Sequence, residues 1–142
     1  MSFRESDIKD IGLNYKPHAE EAEMKLPELP LIFIKTTTAL ADPDQNIVLP
    51  KIAPDYVDYE GELVVVIGKK AKNVSENEAD QYIFGYSIAN DVSARDCQLK
   101  IDGQWARGKS FDSFCPMGPV VSTNIDPDNL NISTRLKLYY RC

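Results

Sequence analysis

The sequence predicts an α+β fold in which strands outnumber helices. Three observations carry this prediction: short alternating or β-branched runs recur along the chain, helical signals are few and short, and the composition is that of one compact domain. Of the 142 residues, 43% are hydrophobic and 27% are charged, which is ordinary for a globular domain of this length. Since no repeat, low-complexity tract or Gly/Ser linker divides the chain, residues 1–142 are interpreted as a single domain.

The predicted elements begin with a strand over residues 8–13, followed by a helix with Pro17 near its first position. Glu20, Glu21 and Glu23 fall in the early turns, where the helix dipole favours carboxylates. A strand over residues 31–36 comes next. After a loop rich in Pro and Asp, a strand over residues 59–68 contains the run Leu-Val-Val-Val-Ile, whose β-branched side chains favour extended backbone.

The second half of the chain continues with a short helix and further strands. Ser75 and Glu78 have the spacing of a capping box, which predicts a helix through Tyr82. A strand over residues 84–89 then leads into the polar segment 90–96. Residues 134–140 alternate polar and apolar as a half-buried strand does, and the sequence ends two residues later. We therefore expect either an edge strand there or a chain that lacks its carboxyl-terminal portion.

Charge and cysteine content exclude several classes of protein. The net charge is -6, with 16 basic residues against 22 acidic ones and no basic run, which argues against a nucleic-acid binder. The apolar runs are too short to span a bilayer, and no secretion signal is visible, so we expect a cytoplasmic protein, with the mitochondrion as an alternative. Three cysteines without C-x-x-C spacing indicate neither a disulfide framework nor a zinc site.

Three carboxylates are candidate ligands of a divalent cation. Glu60 and Glu62 are two residues apart on a predicted strand, so both side chains point to the same face. Asp91 follows another strand and could supply a third oxygen. All-carboxylate sites suit hard cations, and we expect Mg²⁺, with Mn²⁺ or Ca²⁺ as alternatives. The competing interpretations are that the glutamates lie on a solvated strand end and that Asp91 opens a turn or caps a helix.

His18, the single histidine, is a candidate general base. Glu21 follows three positions later on a predicted helix, so the two side chains share a face and could hydrogen-bond. A carboxylate beside an imidazole raises its basicity and fixes its tautomer, as proton abstraction from water requires. An exposed histidine on an acidic surface helix fits the same pattern.

Three further side chains are candidates for contact with an anionic substrate. Lys109 follows a glycine and lies beside aromatic residues, where its amine could meet a carboxylate or a developing oxyanion. Arg95 and Gln98 are three residues apart on a predicted helical turn and could face one pocket, although a surface arginine is the commoner case. The Gly-Lys-Ser triplet does not make a phosphate-binding loop, because the earlier glycine of that motif is missing.

Cysteine catalysis is a second enzymatic hypothesis, in which Cys97 or Cys115 would be the nucleophile and His18 its base. Free cysteines are more often small buried hydrophobic residues, and Cys115 precedes a proline as a turn residue does.

Six blocks of the sequence, in order, resemble the fumarylacetoacetate hydrolase family, which includes acylpyruvases and 2-hydroxyhepta-2,4-diene-1,7-dioate isomerases. The most specific are E-G-E at residues 60–62, N-D-V-S-A-R-D-C-Q at 90–98 and G-K-S-F-D at 108–112; the others span residues 12–21, 33–35 and 115–119. The resemblance covers nearly the whole chain. It departs at the carboxyl end, where family members continue into further strands and a Thr-Gly-Thr-Pro segment that contacts the substrate.

The resemblance implies a role for each candidate residue. The family's metal-binding carboxylates match Glu60, Glu62 and Asp91, and its water-activating pair matches His18 and Glu21. Its active-site lysine matches Lys109, and positions lining its substrate pocket match Arg95 and Gln98. The resemblance also implies a mixed β-roll or sandwich, incomplete on the carboxyl-terminal side, and a homodimer.

The activity that we expect from these roles is hydrolysis of a carbon–carbon bond in a small anionic 2-oxo or 1,3-dicarbonyl acid, such as an acylpyruvate. Metal chelation of an enolate and attack by activated water would drive it. The same site could instead tautomerise or decarboxylate oxaloacetate or isomerise a dienedioate. A truncated remnant without activity is the alternative from a different class.

Overall fold

The computed structural model describes residues 7–21, 23–101 and 103–136. Within these ranges the strands are β1 (Ile8–Gly12), β2 (Leu31–Lys35), β3 (Leu40–Ala41), β4 (Val57–Asp58), β5 (Gly61–Ile67), β6 (Ile83–Asn90), β7 (Ser93–Ala94) and β8 (Cys115–Pro116). They form two-stranded sheets: β1 with β2, β4 with β7, and β5 with β6 are antiparallel, whereas β3 and β8 are parallel. The predicted α+β class with a majority of strands is therefore confirmed.

The helical segments are short. The α-helices are α1 (Lys16–Glu21) and α2 (Trp105–Lys109). Two 3₁₀ segments span Thr37–Ala39 and Glu76–Tyr82, and a π-helical turn spans Asp96–Ile101. In the described part of the chain, no helix has the length and apolar character that a membrane crossing requires.

The β5–β6 pair is the longest in the described structure. It forms where the sequence concentrates β-branched residues, as predicted, and its register places Gly61 opposite Asn90. The strand exit is held by two further bonds, since the Asp91 amide donates to the Glu60 carbonyl at 2.8 Å and the Asn90 side chain accepts from the Glu60 amide at 2.9 Å. This pairing brings the E-G-E and N-D blocks side by side.

The buried core lies around the segment that follows β6. Its members are small or medium in size, apart from one phenylalanine: Ala39, Ala53, Val92, Ala94, Cys97, Phe114 and Cys115. Phe114 stacks edge-on against Phe111, with ring centroids 5.4 Å apart. Three core residues, Val92, Ala94 and Cys97, belong to segment 91–98. The core therefore fixes the backbone that carries several of the predicted site residues.

Helix α1 is shorter than the glutamate pattern predicted. Glu23 lies outside it with φ of 53°, in the left-handed region, and the amide of Met24 donates to the carbonyl of Ala19 at 2.9 Å. This bond closes the helix in the manner of a Schellman motif, so the helix ends before Glu23 can join it.

Two other predicted elements differ from the structure. Residues 76–82 form a 3₁₀ segment, and Ser75 makes no side-chain bond to the backbone there; its hydroxyl bonds Glu78 Oε2 at 2.6 Å instead. The capping box is therefore present as a side-chain pair only. Residues 134–136 are not in a strand, and the rest of the strand predicted over 134–140 lies outside the described residues.

Gly108 lets α2 pack closely against the π-helical turn. A Cβ at this position would lie 2.8 Å from the backbone nitrogen of Gln98 and 3.0 Å from the carbonyl oxygen of Ala94. Both are backbone atoms, which cannot move aside as a flexible side chain can. The absence of a side chain at residue 108 therefore sets the position of the next residue, Lys109, relative to the segment after β6.

Candidate active site

A buried cluster of acidic and basic side chains lies where several elements end. Lys35 closes β2, Asp91 follows β6, Glu60 precedes β5, and Lys109 closes α2. Each of these positions lies at or next to a strand or helix terminus. We call the set of Asp10, Lys35, Glu60, Glu62, Asp91 and Lys109 the acid–lysine cluster.

Asp91 is the centre of the acid–lysine cluster. It is only 4% exposed, and both its carboxylate oxygens bind an ammonium group: Oδ1 pairs with Lys35 and Oδ2 pairs with Lys109. Lys35 and Lys109 are themselves 1% and 2% exposed. Buried ammonium groups are stable only when paired, so the carboxylate and its two partners depend on one another.

Lys109 has a second carboxylate partner. Its Nζ lies 3.0 Å from Glu60 Oε2, and it sits 5.2 Å above the centre of the Phe33 ring. The lysine is therefore shared between Glu60 and Asp91, on an aromatic face that favours a cation. This is the position that the family resemblance assigned to an active-site lysine.

Glu60 lies between Lys109 and Arg95. The guanidinium of Arg95 reaches Glu60 Oε1 at 2.6 Å, and the Ser93 hydroxyl lies 3.1 Å from the same oxygen. Burial alone would raise the pKa of Glu60, but the charges of Lys109 and Arg95 hold it below the ordinary value. Glu60 is therefore ionised at neutral pH.

Arg95 is engaged on three sides by the protein itself. Besides Glu60, its Nε donates to Asp58 Oδ2 at 2.7 Å, and its Nη1 donates to the side-chain oxygen of Gln98 at 2.9 Å. Gln98 is 2% exposed. The predicted proximity of Arg95 and Gln98 is thus present in the structure, and Arg95 faces the cluster through Glu60.

Two carboxyl groups of the acid–lysine cluster have raised pKa values. Burial, with the nearby charges of Asp91 and Glu60, raises the pKa of Glu62 to about 7. Burial and the charge of Asp91 likewise raise the pKa of Asp10 to about 6, and its Oδ2 is a buried atom without a hydrogen-bond partner. Carboxyl groups therefore outnumber cations around Asp91.

His18 and Glu21 lie elsewhere, on α1. Both side chains are exposed, and the described residues show no hydrogen bond between them. The predicted shared helix face is present, because both residues fall within Lys16–Glu21. The structure does not bring this pair into contact with the acid–lysine cluster.

The two cysteines of the alternative hypothesis are buried and free. Burial raises the pKa of the Cys115 thiol to about 11, and Cys97 is 0% exposed within the core. Cys115 lies in β8 rather than in the turn that its proline neighbour suggested. A thiol in this setting is a packing residue rather than a nucleophile.

Sequence reasoning missed Lys35 and Asp10. Both occupy inward-facing positions of alternating strands, since burial in β1 and β2 alternates residue by residue and the two charges fall on the less exposed phase. A charged residue on the inward phase of a strand is the signal that could have identified them.

The carboxylates of this cluster are of the type that binds a divalent cation, but they are not arranged as a metal site. The charges of Asp91 and Glu60 are close enough to Glu62 to raise its pKa, and the surplus of carboxyl groups is what a hard cation would balance. However, the described residues include no group of three His, Cys, Asp or Glu side chains arranged to hold a metal ion. Lysine and arginine nitrogens occupy the oxygens of Glu60 and Asp91 instead.

Comparison with known proteins places this site in a family of enzymes. A family model described as fumarylacetoacetate (FAA) hydrolase C-terminal matches residues 7–139. The match includes every residue of the acid–lysine cluster. The chain belongs to the fumarylacetoacetate hydrolase family.

Several relatives and solved structures are similar to this chain. A Dictyostelium discoideum protein named fumarylacetoacetate hydrolase domain-containing protein 2 homolog is 51% identical over 138 residues, covering 89% of this chain and 45% of that protein. A rat mitochondrial protein named oxaloacetate tautomerase is 43% identical over 129 residues, covering 89% and 41%. The crystal structure of a 5-carboxymethyl-2-hydroxymuconate delta-isomerase from Mycobacterium smegmatis matches with a TM-score of 0.76 and 50% identity, covering 87% and 48%. The chain spans about half the length of these proteins.

Proposed function

We propose that the protein acts on small 2-oxo dicarboxylic acids and moves a proton between carbon and oxygen, as a tautomerase or isomerase does. The observation that carries this proposal is the placement of Lys109, a buried cation shared between Glu60 and Asp91. A buried cation at the edge of a carboxylate pair can stabilise an enolate oxygen better than one in water, because the surrounding dielectric is low. Relatives named as a tautomerase and an isomerase support the same reaction class.

In the proposed mechanism, the anionic substrate draws the ammonium of Lys109 away from one of its two carboxylates. Phe33 keeps the ammonium above its ring during this exchange. Arg95 and Ser93 hold Glu60 in place, so the carboxylate stays ionised when Lys109 turns to the substrate. Gln98, fixed by Arg95, would present its amide to the substrate.

A divalent cation, Mg²⁺ or alternatively Mn²⁺ or Ca²⁺, would be held by Glu60, Glu62 and Asp91. When bound, it would supply a Lewis acid that favours the enolate form of the substrate. Because Lys109 binds Glu60 Oε2 and Asp91 Oδ2 in this structure, the proposal requires that its ammonium give way to the ion.

Hydrolysis of a carbon–carbon bond is the second candidate. It needs a base that takes a proton from water, and His18 with Glu21 is the pair that we assign to this role. The exposure of His18 on α1 favours this candidate, because the imidazole is open to water there. The two candidates therefore differ in whether the reaction depends on α1.

An activity panel with and without metal tests the proposal. The enol-to-keto conversion of oxaloacetate, its decarboxylation and acylpyruvate cleavage are followed by ultraviolet absorbance after treatment with a chelator and after addition of Mg²⁺ or Mn²⁺. We expect enol-to-keto conversion that Lys109→Met abolishes and Lys72→Met, at an exposed position, leaves unchanged. No conversion of any substrate under any condition would indicate an inactive remnant.

The metal assignment has its own test. Saturating Mn²⁺ should raise the melting temperature, since a ligand that binds only the folded state stabilises it by about 2.7 kcal/mol at a hundredfold excess over Kd. Glu62→Gln should remove this shift, whereas Glu20→Gln, on the exposed face of α1, should keep it. Equal shifts in the two variants would contradict the ligand assignment.

Assembly and compartment complete the proposal. We propose a homodimer, because apolar side chains such as Ile32 and Ile34 face outward from β2 and are 59% and 51% exposed. Light scattering of the purified chain would measure its mass directly. A cytoplasmic location is proposed, with the mitochondrion as the alternative that the rat relative's name supports.

A further inference from the structure

Lys35 has no role in the mechanism proposed above, yet it is among the most buried residues in the described structure. Its side chain is 0% exposed, and its ammonium binds Asp91 Oδ1 and lies 3.3 Å from the carbonyl oxygen of Val92. It therefore contacts a side chain and the backbone of two consecutive residues. A lysine pays a large desolvation cost in such a place, so its contacts must be favourable.

The two buried lysines differ in what they bind. Lys109 binds side-chain oxygens of two carboxylates, Glu60 and Asp91, and has the Phe33 ring beneath it. Lys35 binds one carboxylate and a main-chain carbonyl, and it comes from a strand that is paired along its length with β1. The ammonium of Lys109 bridges two carboxylates and can move to a third anion. The ammonium of Lys35 is also held by the main-chain carbonyl of Val92, so it moves less easily.

We propose that Lys35 is a positioning residue for Asp91: it fixes the carboxylate and the 91–92 backbone, so that only Lys109 is exchanged for substrate. Lys35 stays bound to Oδ1 of Asp91, and Oδ2 of Asp91 is left to Lys109. The catalytic part of this proposal rests on the proposed function. The positioning of Asp91 by Lys35 requires neither substrate nor metal.

Hydrogen exchange of Lys35→Met and Lys109→Met tests the positioning directly. The two variants are matched, because each replaces a buried ammonium on Asp91 by a thioether of similar length. The amides of Asp91 and Val92 donate to Glu60 and Phe114, so their exchange reports the order of this segment. We expect at least tenfold faster exchange of these two amides in Lys35→Met, and less than threefold in Lys109→Met.

The amides of β5 and β6 serve as the internal reference. If Lys35→Met accelerates them as much as Asp91 and Val92, the lysine stabilises the whole fold and the positioning role is wrong. Equal effects of the two variants at Asp91 and Val92 would also contradict it. Should Lys35→Met not fold, Lys35→Gln replaces it, with the same expected and contradicting outcomes.

Kinetics on the oxaloacetate enol give a readout that a purely structural lysine would not change. Lys35→Met should lower kcat at least tenfold with KM within threefold of wild type, and Lys35→Arg should recover part of the lost kcat because it keeps the charge. Lys109→Met should abolish turnover, as the proposed function requires. A change confined to KM in Lys35→Met would overturn the proposal. If wild type is inactive on every substrate, the proposed function fails while the exchange comparison still decides the role of Lys35.

Discussion

The predicted catalytic residues lie in two regions, the acid–lysine cluster and helix α1. The two regions differ in burial and in charge pairing. In the cluster, Asp91 is 4% exposed and both its oxygens are paired. On α1, His18 and Glu21 are exposed, and the helix is only six residues long. Residue spacing on a helix therefore predicts which side chains share a face. Which groups act together depends on their burial and on the charges with which they pair.

The largest effect should come from removing the central charge of the cluster. Asp91→Asn leaves Lys35 and Lys109 buried without their common anion, so we expect a loss of about 3–5 kcal/mol in the free energy of unfolding. Urea denaturation measures it. Glu21→Gln, the matched change on α1, should stay within about 0.5 kcal/mol. A similar loss in both variants would erase the distinction between the two regions.

The role of α1 in the reaction is the next difference to test. If the reaction is proton transfer at the cluster, His18→Ala should lower the enol-to-keto rate less than about tenfold, which is about 1.4 kcal/mol. If acylpyruvate cleavage is the reaction, the loss of the base should lower that rate by about a hundredfold or more. Both rates are measured on the same preparation. A large loss in the tautomerase assay would show that proton transfer also depends on His18 and α1.

A smaller effect concerns the pH dependence of stability. Because the pKa of Asp10 is raised from 3.8 to about 6, the folded protein binds this proton more tightly than the unfolded chain does. The group therefore lowers stability as pH rises from about 4 through 6. Asp10→Asn removes this penalty and should stabilise the protein at pH 8 by roughly 1 kcal/mol, after allowance for partial exposure.

Melting temperatures at pH 4.5 and pH 8 check this prediction. The gain from Asp10→Asn should be fully present at pH 8 and reduced to about a third at pH 4.5. Asp7→Asn, at an exposed carboxyl beside Lys9, is the matched control and should change neither value. A gain from Asp10→Asn that does not depend on pH would point to packing instead of charge.

The smallest expected effect is a chemical one. Because burial raises the pKa of Cys115 to about 11, its thiolate should be rare at pH 8, and iodoacetamide should leave it unmodified in the folded protein. Peptide mass spectrometry after alkylation, with and without urea, measures the difference. Rapid modification of Cys115 in the native protein would restore the cysteine hypothesis.

Much of the fold could be predicted from the sequence. The strands around residues 8–12, 31–35, 61–67 and 83–90 were predicted within one or two residues, because alternating or β-branched runs mark them directly. The short pairs such as Leu40–Ala41 with Cys115–Pro116 could not be predicted, since two residues carry no periodicity. Helix α1 ends where the backbone of Glu23 adopts the left-handed conformation, and a helical sequence pattern does not predict this.

The site was predictable in its residues but not in its contacts. Glu60, Asp91 and Lys109 were identified from local spacing and the family resemblance, and the structure brings them together. Lys35 lies 56 positions from Asp91 along the chain, so only the tertiary structure could show that they pair. The ion pair between Arg95 and Glu60 likewise depends on tertiary structure, because the pairing of β4 with β7 places Asp58 opposite Ser93.

Gly108 limits how far the acid–lysine cluster can be redesigned. A methyl group there would press on the Gln98 nitrogen and the Ala94 carbonyl, and the helix end carrying Lys109 would have to shift. Attempts to alter substrate selectivity would therefore do better to vary exposed neighbours and keep residue 108 unchanged. Even an alanine there would misplace the ammonium without altering any charged group.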